Sequence, residues 1–191
     1  MSAAGRVCTG FSLPYVAKYV NTSGTISYTD GQQLARGVDV SIEPSASENI
    51  FYADNVAAET ANQFTGGTFS LTVDGLLTDA EKLIMGLPAV SGSWYSYDDD
   101  QAAGYFGLGF IARYMSDGAT SYVPYVLAKV SFDPIQNSAA TQEAEIDWQT
   151  QSISGQILRA DDAKHTWKYL GIEYATEAAA KEALEAKLGI E

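Results

Sequence analysis

The side chains that could do chemistry in this chain are few: one histidine, His165, one cysteine, Cys8, the carboxylate run Asp98 to Asp100, and the pair Glu143 and Glu145. A histidine-dependent triad would have to be built on His165, yet no G-x-S-x-G elbow or other nucleophile motif accompanies it, and a structural or surface role is favoured. The lone Cys8 excludes a disulfide within the chain and reads as an inert thiol. Asp98 to Asp100 lack the alternating ligands, glycine and distal glutamate of a calcium loop. Glu143 and Glu145 could act as acid and base, but residues two apart on a strand share a face, and a solvated face is the favoured reading. Gly66-Gly67 and the Gly104, Gly107, Gly109 cluster lack the spacing that cradles phosphate. No catalytic, metal or cofactor site is therefore expected from these residues. Trp94, Tyr95 and Tyr97 remain: they could stack on a sugar ring, as in a carbohydrate-binding β-sandwich, or anchor a protein contact, which is favoured. A glycosidase is a third reading and needs two carboxylates across a cleft.

Charge narrows the partners. The chain carries 24 acidic against 11 basic residues, a formal −13. Gripping nucleic acid or an anionic membrane needs clustered Lys and Arg, so neither is expected. A surface that repels DNA stays open, beside the plainer role of acidity in solubility. The opening MSAAGRVCTG has no apolar run before Cys8, so neither secretion nor lipid attachment is expected. No apolar run is long enough to span a bilayer, and a soluble protein made in a reducing cytoplasm is the expectation.

The elements that must position these residues centre on Gly66 to Pro88. Phe69, Leu71 and Val73 alternate with Thr68, Ser70, Thr72 and Asp74 as in a strand with one buried face. Asp74-Gly75 breaks the chain. Thr78 and Glu81 have the spacing of a capping box, Ala80, Leu83, Ile84 and Leu87 form one stripe, and Gly86 with Pro88 ends the helix. A helix of about two turns cannot stand alone and must lie on a sheet.

Upstream, residues 1–13 read as an arm, Tyr15 to Val20 as a strand, Asn21 to Gly24 as a turn and Thr29-Asp30-Gly31 as a hairpin. Val38, Val40 and Ile42 alternate with Asp39, Ser41 and Glu43 until Pro44 ends the strand. Ser45 to Glu48 reads as loop, Ile50 to Ala53 as a short extended run, Asp54 to Asn62 as helix or loop, and Gly66-Gly67 as a turn. Downstream, residues 90–106 form a long loop. Asp117-Gly118 joins the strongest hairpin, whose two arms are apolar on both faces, as if another subunit covered one of them. Glu145 to Thr150 alternate, and a bulge near Gln151 would bring Ile153, Gly155 and Ile157 into phase. Trp167 and Tyr169 make a last strand. Residues 176–191 hold a helix with a Glu177 to Lys181 pair and a narrow Leu184, Leu188 grip, expected to dock weakly or on a neighbour. The sum is one mainly β domain over 1–191, a β-sandwich or open barrel with one core-packing helix and a C-terminal helix.

Several stretches in order, TGFSLPYVAKYVN, FYADN, GGTFSLTVDGL with its helix through KLIMGLP, GFIARYMSDG, and EIDWQTQSISGQILRADDAKHTWKY, resemble the major tail proteins of bacteriophages with long, non-contractile tails. The likeness runs over nearly the whole chain. It implies a non-enzymatic virion protein: a β-sandwich with a flanking helix, six copies to a ring, and rings stacked into a tube through which the genome leaves. The implied partners are further copies of itself, a tape-measure protein, a tail tip and a tail terminator. Double-stranded DNA would pass without specific binding, and assembly would take place in the host bacterial cytoplasm.

Geometry makes that coherent. If each of six subunits lends about four strands at about 4.8 Å spacing, the circumference is near 115 Å, and with the usual tilt the backbone diameter is roughly 45 to 50 Å, wide enough for a duplex. An acidic bore would keep phosphates from sticking, and Asp39, Glu43, Glu143, Glu145 and Asp147, on the polar faces of alternating strands, are expected to line it. Phe11, Trp94, Tyr95, Tyr97, Leu184 and Leu188 are expected to make contacts between subunits or rings.

Overall fold

The computed structural model describes residues 5–53, 56–88, 93–99, 101, 103–137, 141 and 148–190, with backbone alone for 49–53 and 56–61. Alternation dominates these residues, and they form β1 (Val7–Thr22), β2 (Thr25–Gln33), β3 (Gly37–Ala53), β4 (Val56–Val73), α1 (Thr78–Met85), β5 (Phe106–Ser116), β6 (Ala119–Phe132), β7 (Gln151–Ile157), β8 (Lys168–Leu170) and α2 (Glu177–Leu188). The fold is mainly β: one antiparallel sheet in the order β2-β1-β5-β6-β7-β4-β3, with β8 on β6. Among the described residues, the two ends of that order, β2 and β3, are edges.

The sheet bends around one apolar cluster. Val16 of β1, Phe106 and Leu108 of β5, Leu127 and Val130 of β6, Ile153 and Ile157 of β7, and Phe69, Leu71 and Val73 of β4 all meet there. Helix α1 adds Ala80, Ile84 and Met85 to the same cluster. At one rim the ring of Phe11 fills the space where a Cβ on Gly37 would sit, so the two arms of the sheet touch without pairing.

A second cluster lies on the other face of β1, β5 and β6, where Tyr15, Ala17, Ile111 and Val126 pack on Ala180, Leu184 and Leu188 of α2. The helix can come this close because β5 presents Gly107 and Gly109 to it. A Cβ on Gly109 would lie 2.7 Å from Leu184 and 2.8 Å from Leu188. This overturns the expectation that α2 docks weakly or on a neighbour. It also corrects the second face of the β5–β6 hairpin, which the chain's own helix covers. Thr176 caps α2 by accepting from the Ala179 N–H, and Gly189 closes it in the left-handed conformation. The pair along the helix is Lys181 with Glu185, while Glu177 instead accepts from the Ser12 hydroxyl.

Other local readings change for identifiable reasons. Residue Leu77 is the N-cap of α1, because Glu81 N–H bonds to Leu77 O, and the Glu81 carboxylate accepts from Tyr97, so the capping box does not form. The turn joining β1 and β2 is at Ser23-Gly24, and Asp30, also left-handed, lies inside β2 where its register against β1 shifts. Asp-Gly suits a bulge as well as a turn. The arm expected over 1–13 is, from Val7 on, part of β1 paired with β5. Pro44 does not end β3. On an edge strand a missing N–H can face solvent, and β3 runs on to Ala53. Ser45 to Glu48 and the described part of Asp54 to Asn62 are strand, and Gly66-Gly67 is not a turn but continuous β4.

A polar sheet face and a projecting ribbon

Strand β4 has two halves with different neighbours. Residues Gly67 to Val73 pair with β3 on one side and β7 on the other, whereas Val56 to Gly66 pair with β3 alone. The second half is therefore a two-stranded ribbon, Ser45–Ala53 against Val56–Gly66, reaching roughly 30 Å beyond the sheet at about 3.3 Å per residue. Its base is fastened to the body. Phe64 stacks on Trp167 with ring centroids 4.4 Å apart, its carbonyl accepts from Arg159, and the Thr65 hydroxyl bonds to Ser45 O across a register shift. Two-stranded ribbons are marginal in water unless something covers them.

The polar face of the same strands is the second feature. Pairing sets Asp39, Thr72 and Ser152 in one row, Ser41, Ser70 and Ser154 in the next, and Glu43, Thr68 and Gln156 in a third. Ser131 and Asp133 of β6 and its exit extend two of the rows, with Ser154 Oγ donating to Asp133 at 2.8 Å. Nearly all of these side chains are exposed. Sequence reasoning named the two acids here, Asp39 and Glu43, and missed the hydroxyl grid between them, although TFSLTV and QSISGQI carry it at every second position. Across β3, β4 and β7 there is no lysine or arginine. All 11 basic residues lie elsewhere. Such a face presents short neutral hydroxyls and carboxylates and gives a polyanion nothing to grip.

Where that face passes onto β6, its first cation, Lys129, two residues before Ser131, is paired. Lys129 donates to Asp161 at 2.8 Å, Tyr19 OH donates to the same carboxylate, and the Asp161 N–H returns a bond to Tyr19. These bonds hold the Asp161 carboxyl below the usual range, with Lys129 the larger cause, and a bond from Thr166 does the same for Asp162. His165, left-handed in that loop, lies near Ala160 O through Nδ1 at 3.3 Å, a structural place. Cys8 is exposed on β1.

No protein-family model matches this chain, and no curated protein matches it either.

The remaining candidates separate cleanly. Trp94 is 84% exposed, and Tyr95 and Tyr97 are about half exposed, over a shallow cavity of about 220 Å³ that also includes Thr78, Glu81 and Lys82. Tyr95 lies under the Lys82 ammonium, and burial, helped by the bond Tyr97 donates to Glu81, pushes the Tyr97 hydroxyl up to about 12. Phe11 is half-buried, edge-on to Phe110 at 5.5 Å, and so serves the chain's own packing. Leu184 and Leu188 are fully buried in the α2 contact, which corrects their assignment to a neighbouring subunit. Glu143, Glu145 and Asp147 lie outside the described residues. Among the described residues no three His, Cys, Asp or Glu side chains are grouped to hold a metal ion, and no helix is long and apolar enough to cross a membrane.

Proposed function

We propose that the protein is a tail tube subunit of a bacteriophage with a long, non-contractile tail, and that six copies form a ring whose bore is lined by the polar face of β3, β4 and β7. The observation that carries this reading is the face itself: four adjacent strands, counting the end of β6, present hydroxyls and carboxylates, β3, β4 and β7 without one cation and β6 with only Lys129, which is bound to Asp161. Four strands from each of six copies give the circumference near 115 Å that a duplex needs. A ring would carry about −80 formal charges, and the share facing inward keeps the phosphates of passing DNA from sticking.

Two further features favour assembly. The sheet ends in edges at β2 and β3, and edges of this kind are closed in nature by pairing or cover. The ribbon needs a partner surface, and a neighbouring ring supplies one. In this reading the tape-measure protein, tail tip and tail terminator set the length and ends of the tube, and the protein resides in the virion tail after assembly in the host cytoplasm. The reading assigns no enzymatic step to any residue. A second reading, a carbohydrate-binding module, is favoured by the exposed Trp94 above polar Glu81 and Thr78. Electron microscopy of the purified, concentrated protein separates them. Hollow tubes of uniform width are the expected result; a monodisperse monomer that binds glycans would overturn it.

A further inference from the structure

We propose that the N-terminal half of β1, Val7 to Ser12, is exchanged between copies of this chain, each copy seating its strand on the Ile111–Met115 edge of another's β5. This deepens the assembly reading and rests on it only in that copies must meet. The boundary of the exchanged piece is sharp. Leu13 has φ 53°, left-handed backbone that a bulky side chain rarely adopts, and β1 loses its register against β5 between Ser12 and Tyr15. From Pro14 onward the strand is locked: Pro14 O accepts from Leu34 N–H, and Tyr15, Val16 and Ala17 are buried.

Before Leu13 the ladder to β5 holds it, with little apolar burial behind that ladder. Residues 5–9 are exposed, Thr9 is skipped by the pairing, and only Phe11 puts an apolar ring into the body. Arg6 pairs with Glu173 and covers the Tyr114 ring from 4.4 Å, and Ser12 bonds to Glu177; these are exposed polar contacts. Strand β2 pairs with β1 only from Tyr15 on, so Val7 to Ser12 is hydrogen-bonded to the sheet through β5, with Phe11 alone reaching Gly37 of β3. Few contacts on a segment mean local opening at low cost. Extended, the six residues reach roughly 20 Å. A second copy offers the same register and the same partners, so exchange remakes every contact and lets Leu13 leave the strained conformation, which is the logic of domain swapping.

The register itself supplies the test. Cys8 pairs with Tyr114 and is the only cysteine, so the variant Tyr114→Cys can close a disulfide within one copy if the strand stays home and between copies if it is exchanged. The protein is concentrated until it assembles and then treated with oxidised glutathione, which takes up the two thiol hydrogens. Covalent dimers and higher species on a non-reducing gel are expected, absent from the parent protein and from Tyr114→Cys combined with Cys8→Ser. Monomer bands with an internal disulfide, or thiols that stay free, would overturn the exchange. If Tyr114→Cys disturbs folding, the exposed pair Val7→Cys with Met115→Cys in a Cys8→Ser background reads the same register. Leu13→Gly removes the strain from the seated strand and should cut the cross-linked fraction roughly fivefold or more; an unchanged fraction would overturn the role of the hinge. Microscopy of the same samples keeps the two ideas apart: tubes with monomer bands defeat the exchange alone, and a covalent ladder without tubes defeats the tube alone.

Discussion

Within β4, the half from Gly67 to Val73 and the half from Val56 to Gly66 are one continuous strand with opposite physics. The first is flanked on both sides and buries Phe69, Leu71 and Val73 in the main core; the second has a single partner strand. Stability therefore resides in the first half, and the proposed function gives assembly to the second. Changes in the body should unfold the monomer, and changes in the ribbon should spare it.

The largest effect is expected from the ribbon. Replacing residues 47–62 with an Asn-Gly turn should abolish tube growth completely while leaving the thermal midpoint within a few degrees, because every side chain of the two described apolar clusters is kept. A melt that collapses would show the ribbon to be part of the fold. In the body, Leu184→Ala should cost about 2 to 5 kcal/mol in urea unfolding of the monomer, by emptying a fully buried site under α2. An unchanged unfolding midpoint would return α2 to the role of an intersubunit arm.

These two regions also explain what could be read from the chain alone. Phe69, Leu71, Val73, Ile153 and Ile157 announced their strands because a one-sided core imposes a period of two. Residues 56–61, VAAETA, have no such period, and a ribbon outside the main sheet has no core to impose one. Pro44 and Gly66-Gly67 looked like punctuation, yet edge position excuses the proline, and Gly67 serves close approach: a Cβ there would lie 2.7 Å from Glu43 O. Leu184 and Leu188 looked too sparse to hold a helix. The missing half of that contact was Gly107 and Gly109, whose lack of side chains is visible in sequence but whose partner is not. The hydroxyl grid is legible as alternation in TFSLTV and QSISGQI, but the pairing that sets the two stretches side by side is not.

Smaller effects sharpen the comparison. Gly109→Ala should destabilise by about 1 to 3 kcal/mol through overlap with Leu184 and Leu188, and combining it with Leu184→Ala should cost less than the sum of the two. Asp39→Lys with Glu43→Lys, both exposed on β3, should leave unfolding within about 0.5 kcal/mol and tubes intact, yet slow or stall genome ejection; unchanged ejection kinetics would remove these acids from the bore. The smallest effect concerns acid. Asp161 has a lowered folded pKa, so its contribution is present above the unfolded carboxylate value of 3.8 and is lost as pH falls through the folded one. Asp161→Asn should flatten that acid limb by slightly lowering the melt at neutral pH, while the melt at the acid end stays where it was.

The most direct measurement is a helical reconstruction of the assembled protein at side-chain resolution. The expected map shows six copies to a ring, a bore bounded by the rows Asp39, Thr72, Ser152 and Glu43, Thr68, Gln156, and the Ser45–Gly66 ribbon crossing to the next ring. A bore lined by lysines and arginines, or assemblies with that hydroxyl face turned to the outside, would contradict the account.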